Sequence, residues 1–82
     1  MALAQEDVLA GFKEIVDEVA GIPAASVELD KNLEHDLGVD SLYMVEVVVT
    51  AEARFGVKIP DENVTDLLTV GDAVNFIVNA SK

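Results

Sequence analysis

Apolar residues recur at helical spacing in three long stretches of the chain. Between Gln5 and Val19, the residues Val8, Leu9, Phe12, Ile15, Val16 and Val19 share one side, with Asp7, Lys13, Glu14, Asp17 and Glu18 opposite. That pattern predicts an amphipathic helix with a single buried stripe. Gly21-Ile22-Pro23 stops it, because glycine caps a helix end well and the residue before a proline avoids helical angles. From about residue 20 to 40 the apolar residues Ile22, Val27, Leu29, Leu33 and Leu37 keep neither a helical nor a strand period. Glu28, Asp30, Glu34 and Asp36 stand between them. A loop of this length in so small a chain tends to be functional. Its apolar residues are expected to pin it onto the helices, and a short helical turn within it stays undecided.

The stretch from Ser41 to Phe55 predicts the second helix, and it has two apolar sides. Met44, Val47, Val48, Ala51 and Phe55 form an ordinary core stripe; Leu42, Val45, Val49 and Ala53 fall nearly opposite, flanked by Glu46 and Glu52. Tyr43, Thr50 and Arg54 form the polar strip between. A helix apolar on two sides is either central to a bundle or carries an exposed docking face. The flanking acids favour docking, since a buried carboxylate is costly. Four valines in this stretch would suit a strand equally well, but the caps and charge spacing favour helix.

Gly56 ends that helix and Val57-Lys58-Ile59 leads to Pro60. Acids in a first turn and apolar Val64, Leu67 and Leu68 predict a short helix over about Asp61–Asp66. Thr69 followed by Asp72 reads as a variant capping box. It starts a last helix that buries Val70, Ala73, Val74 and Ile77 and fades near Asn79. No strand, repeat or low-complexity stretch is apparent. The expected fold is all-α: a small bundle of three main helices and one short one, with a long loop between the first two, as one domain over residues 1–82.

Composition narrows the functions open to this fold. At 82 residues the chain buries about 60% of its unfolded surface, leaving no room for a deep cleft between domains. Sixteen acids against five basic residues give a net charge of −11, which opposes nucleic acid and anionic membranes and favours partners with basic patches. There is no cysteine, hence no disulfide, thiolate nucleophile or cysteine metal site. The segment Met1–Asp7 lacks the basic and apolar regions of a signal peptide, and the run Val47-Val48-Val49 is far too short to span a bilayer. A cytoplasmic protein without stable membrane insertion is expected.

Candidate chemistry centres on Asp36-Leu37-Gly38-Val39-Asp40-Ser41-Leu42. Ser41 starts the second helix, where free N–H groups and the positive end of the dipole would favour an anion attached to its oxygen. Gly38 lets the loop adopt backbone angles closed to other residues, and Asp40 can cap the helix or ligate a passing cation. A serine hydrolase would need more. His35 is the one histidine, it sits on an acidic loop, and neither an orienting acid nor an oxyanion hole is visible. A calcium loop does not fit either, because Asp36 and Asp40 lack the alternating ligands, central glycine and terminal glutamate of that motif. No metal site is expected. The third reading is a hydroxyl modified by an outside enzyme that brings its own catalysis.

These residues resemble the attachment motif of acyl carrier proteins, an Asp-Ser-Leu following a loop glycine. The likeness continues through Val45-Glu46, Val47 to Val49, Glu52, Phe55, Ile59-Pro60-Asp61 and Thr69-Val70-Gly71-Asp72-Ala73, nearly the whole chain. The resemblance implies a carrier without catalysis of its own, on which Ser41 bears 4′-phosphopantetheine from coenzyme A, installed by a phosphopantetheinyl transferase. It implies that Gly38, Asp40 and Leu42 support the motif, with Asp40 helping to position the metal that the transferase uses. The arm's thiol would carry the acyl group as a thioester. Leu42, Val45, Glu46, Val49 and Glu52 match the face recognised by basic patches on partner enzymes. Val48, Ala51, Phe55, Ile59, Leu67, Ala73 and Ile77 match the lining of the family's acyl cavity, and would equally serve as plain core.

The implied partners are the transacylase, ketosynthase, reductases and dehydratase of a dissociated bacterial fatty acid synthase, served by a monomer. Tyr43, Ala53 and Arg54 depart from the family's small polar or acidic residues at these places. A polyketide carrier is the nearest rival. Peptidyl carriers fit less well, since they usually have a second glycine where this chain has Asp40. A non-covalent acidic adaptor is the competing reading from another class.

Overall fold

The computed structural model describes residues 3–82; Met1 and Ala2 of the segment read for a signal peptide lie outside the described residues. Helix α1 spans Gln5–Ala20, α2 Ser41–Phe55, α3 Asp61–Val64 and α4 Val70–Ala80. No strand occurs among the described residues; Asn32 and Thr69 pair as an isolated antiparallel bridge. No helix there is long and apolar enough to cross a membrane.

Each periodic stripe reaches the core as its spacing requires. Val8, Phe12, Ile15 and Val16 of α1 meet Met44, Val47, Val48 and Ala51 of α2 and Val70, Ala73, Val74 and Ile77 of α4. Packing of α1 against both other long helices makes it the centre of the bundle. Truncating a core residue such as Ile15 to alanine should therefore cost about 2–5 kcal/mol. The close approach of α1 to α2 depends on Gly11. A Cβ there would lie 2.7 Å from Phe55 Cζ. One turn on, Arg54 reaches Glu14 at 2.9 Å, an exposed ion pair that contributes little.

The long connection is held by buried side chains and by backbone hydrogen bonds together. Gly21 closes α1 with φ 71° and donates its N–H to Asp17. A single 3₁₀ turn, Ala24–Ser26, settles the helical turn that the pattern left undecided. Val27 and Leu33 are buried, and Ile22 and Leu37 pack against the core. Leu29 departs from the expectation: its side chain is exposed, and its carbonyl does the holding by accepting from Gly71 N–H at 2.9 Å. Leu33 N–H donates to the Leu68 carbonyl at 2.9 Å and Val70 N–H to the Lys31 carbonyl at 3.0 Å. These bonds fasten the loop along residues 68–71.

Two boundaries shift. Helix α1 runs one residue further than its last stripe position, and α3 stops at Val64 rather than Asp66. After Val64 the chain tightens, with Asp66 N–H donating to Asn63 and Leu67 N–H to Val64. The Asp72 carboxylate then takes the N–H groups of Leu68 and Thr69, while Thr69 Oγ1 accepts from Asp72 N–H. That capping box starts α4 and prevents α3 from continuing into it.

Candidate functional site

The loop that delivers Ser41 is built from short-range hydrogen bonds. Asn32 Oδ1 accepts from the N–H groups of Glu34 and His35 at 3.0 and 2.8 Å, and Asp36 Oδ2 accepts from Asn32 N–H at 2.7 Å. Gly38 then turns the chain with φ 71°, a conformation that other residues rarely adopt. Val39 is buried and donates its N–H to the Leu33 carbonyl at 2.7 Å. With Met44 it occupies the positions of a hydrophobic staple, one residue before the cap and four into the helix. Both line the cleft described below, and neither was among the expected site residues. The spacing Val39-Asp40-Ser41-x-x-Met44 was the signal that could have found them.

Asp40 is extended, and its Oδ1 accepts from Tyr43 N–H at 3.0 Å while its carbonyl accepts from Met44 N–H at 2.8 Å. Ser41 is thus the first residue of α2 and is exposed. Among the described residues, no acceptor takes the N–H groups of Ser41 and Leu42, and no side chain bonds the Ser41 hydroxyl. An oxygen-bound anion here would meet free donors and the positive end of a fifteen-residue helix.

A cleft of about 460 Å³ opens beside the serine, with Val39, Met44, Val45, Leu67 and Leu68 among its walls. A second groove of about 350 Å³ lies between α2 and α3 and shares Val45, Val64 and Thr65 with the first. Of the residues expected to line an acyl cavity, Leu67 borders the first space, and Val48 and Ile59 the second. Ala51, Ala73 and Ile77 sit in the closed core, and Phe55 is half-buried against Gly11. The seven therefore do not converge on one cavity.

The second apolar side of α2 faces solvent. Leu42 is 71% exposed, Val45 58% and Val49 59%, with Ala53 and Glu46 open beside them. Glu52 differs: half-buried, its carboxylate accepts from Ile59 N–H at 2.8 Å and so fixes the turn after α2. His35 is exposed and borders the Ser41 cleft, but no hydrogen bond joins its imidazole to Ser41 among the described residues. Asp36 and Asp40 are both engaged by backbone N–H groups. This arrangement lacks the base and orienting acid of a nucleophilic triad, and suits an exposed tether for a phosphate-bearing arm with an apolar cleft at its foot.

Comparison with known proteins agrees with that geometry. A family model described as "Phosphopantetheine attachment site" matches residues 10–77. The chain is 58% identical over 81 residues to an acyl carrier protein of Acidothermus cellulolyticus, spanning 99% of this chain and 96% of that one. It is 54% identical over 77 residues to one from Arthrobacter sp., spanning 94% and 95%. The solved structure of the acyl carrier protein from Enterococcus faecalis superposes with a TM-score of 0.79 at 35% identity, over 96% of this chain and 100% of that chain. An exposed serine at a helix start, on a bundle of this shape and kinship, places the chain in the acyl carrier protein family, carriers that bear 4′-phosphopantetheine and whose standard role is fatty acid synthesis.

Proposed function

We propose that Ser41 is the attachment residue and that the chain shuttles growing acyl groups among the enzymes of fatty acid synthesis. The observation that carries this reading is the Ser41 hydroxyl itself: exposed, first in α2, beside two free N–H groups and an apolar cleft. A phosphopantetheinyl transferase would join Ser41 Oγ to the phosphorus next to pantetheine in coenzyme A. The pyrophosphate bond breaks, the adenosine bisphosphate leaves, and the hydroxyl proton passes to a base of the transferase. Once bound, the arm supplies a thiol that holds the acyl group as a thioester.

The chain's own residues position and present that group. Gly38 and buried Val39 fix the approach of the loop, and Asp40 caps α2 while helping to place the transferase's metal. The N–H groups of Ser41 and Leu42 would hold the phosphate oxygens. Leu42, Val45, Glu46 and Val49 offer an apolar face with one free carboxylate to enzymes bearing basic patches. Glu52 supports that face through Ile59, which with Val48 and Leu67 stands where an acyl chain could shelter. The site is presented by a cytoplasmic monomer that performs no catalysis itself.

The test is to incubate the protein with coenzyme A and a broad-specificity phosphopantetheinyl transferase and measure its intact mass. Wild type should gain the mass of one arm and Ser41→Ala none. No gain in wild type would overturn the assignment and favour a non-covalent acidic adaptor, and a gain that survives Ser41→Ala would overturn Ser41 as the attachment residue.

A further inference from the structure

The rim of the Ser41 cleft carries one nitrogen base. The loop brings Glu34, His35 and Asp40 to it, whereas α2, α3 and the turn after α3 bring no charged side chain among the described residues. The carboxylate of Asp36, next along the loop, is turned to Asn32 N–H. None of the five lysines and arginines borders this cleft, and His35 is the single histidine of the chain. Its main chain is held while its side chain is free. His35 N–H donates to Asn32 Oδ1 at 2.8 Å, and the turn closes through Asp36 and Leu37 N–H to the Asn32 carbonyl at 2.9 and 3.1 Å. The imidazole is exposed and makes no hydrogen bond among the described residues.

A phosphate on Ser41 Oγ would add an anion beside Asp40, in a cleft that Glu34 also borders, on a chain already at −11. The free N–H groups of Ser41 and Leu42 offset part of that repulsion from the helix side. From the loop side, His35 is the one group that can. We infer that His35 is a positioning residue for the arm: its protonated imidazole donates to a phosphate oxygen across the cleft and fixes the direction in which the arm leaves Ser41. Because the donor is an imidazole and not an ammonium or guanidinium, the contact weakens as pH rises and the ring loses its charge. This inference rests on the carrier reading of Ser41.

Wild type and His35→Gln would each be loaded fully with coenzyme A and a phosphopantetheinyl transferase, checked by intact mass and by circular dichroism at every pH used. The arm phosphate would then be followed by phosphorus NMR from about pH 5 to 8, the range in which imidazole is the side chain that ordinarily changes charge. A phosphodiester stays ionised throughout, so its resonance moves only if a neighbour titrates. In wild type it should shift with a single inflection, and in His35→Gln it should stay flat. Circular dichroism should be the same for both, because the bonds that hold the turn use the main chain of residue 35 and not its imidazole. A flat resonance in fully loaded wild type, or an inflection that persists in His35→Gln, would overturn the role of His35 and leave the carrier reading standing. A wild type that gains no mass would overturn both.

Discussion

Asp40 has a structural duty as the cap of α2 and a proposed chemical one, and the two separate by substitution. Its Oδ1 accepts from Tyr43 N–H, so Asp40→Ala should cost about 1 kcal/mol and lower the melting temperature. Asp40→Asn keeps a capping oxygen and should melt near wild type, yet load more slowly, because a neutral amide binds the transferase's metal poorly. Equal loading of wild type and Asp40→Asn would remove the metal role. Gly11 offers a second prediction, since a methyl there would overlap the Phe55 ring. Gly11→Ala should destabilise by about 1–3 kcal/mol in denaturant unfolding, against the usual gain for alanine in a helix. The two positions differ in how far sequence alone could reveal them. The turn at Gly38, the cap at Asp40 and the helix start at Ser41 were legible because each depends on neighbours within a few residues. The need for glycine at position 11 arises from a helix that begins thirty residues later, and no local pattern encodes that crowding.

At the scale of elements, α2 shows what periodicity settles and what it leaves open. Its two apolar sides were readable from spacing, and the structure assigns one to the core and the other to solvent. The division of labour between its two acids was not readable, because the partner of Glu52 is the backbone N–H of Ile59, seven residues on in the turn before Pro60. From this division comes a paired prediction. Glu52→Ala should lower the melting temperature and leave docking to a ketosynthase nearly intact. Glu46→Lys should leave melting unchanged and raise KM for the carrier, as a cation set against a basic patch would. If Glu46→Lys turned over normally at low salt, the outer face of α2 would not be the electrostatic contact. The long loop was legible only in part. Val27 and Leu33 announced themselves by hydrophobicity, whereas the bonds from Leu29, Lys31 and Leu33 to residues 68–71 involve main-chain atoms that every sequence supplies. The early end of α3 has the same origin, since after Val64 the chain tightens through main-chain bonds from Asp66 N–H to Asn63 and from Leu67 N–H to Val64.

For the molecule as a whole, the dominant number is the net charge of −11 on 82 residues, with Arg54–Glu14 the one ion pair among the described residues. Mutual repulsion of so many open carboxylates should weaken the fold at low ionic strength. Added salt, or millimolar divalent cations, should raise the melting temperature, and a flat response would mean that the acids lie too far apart to interact. On the proposed function, the same charge would draw basic partners toward the exposed apolar face of α2, the cleft and Ser41. The central claim is that this cysteine-free chain acquires its chemistry from a thiol tethered at Ser41. Thiol titration with a chromogenic disulfide, before and after treatment with coenzyme A and a phosphopantetheinyl transferase, tests it most directly. Wild type should go from no titratable thiol to a single one per chain, and Ser41→Ala should stay at none; a wild type that remains without a thiol, or a Ser41→Ala protein that acquires one, would contradict the account.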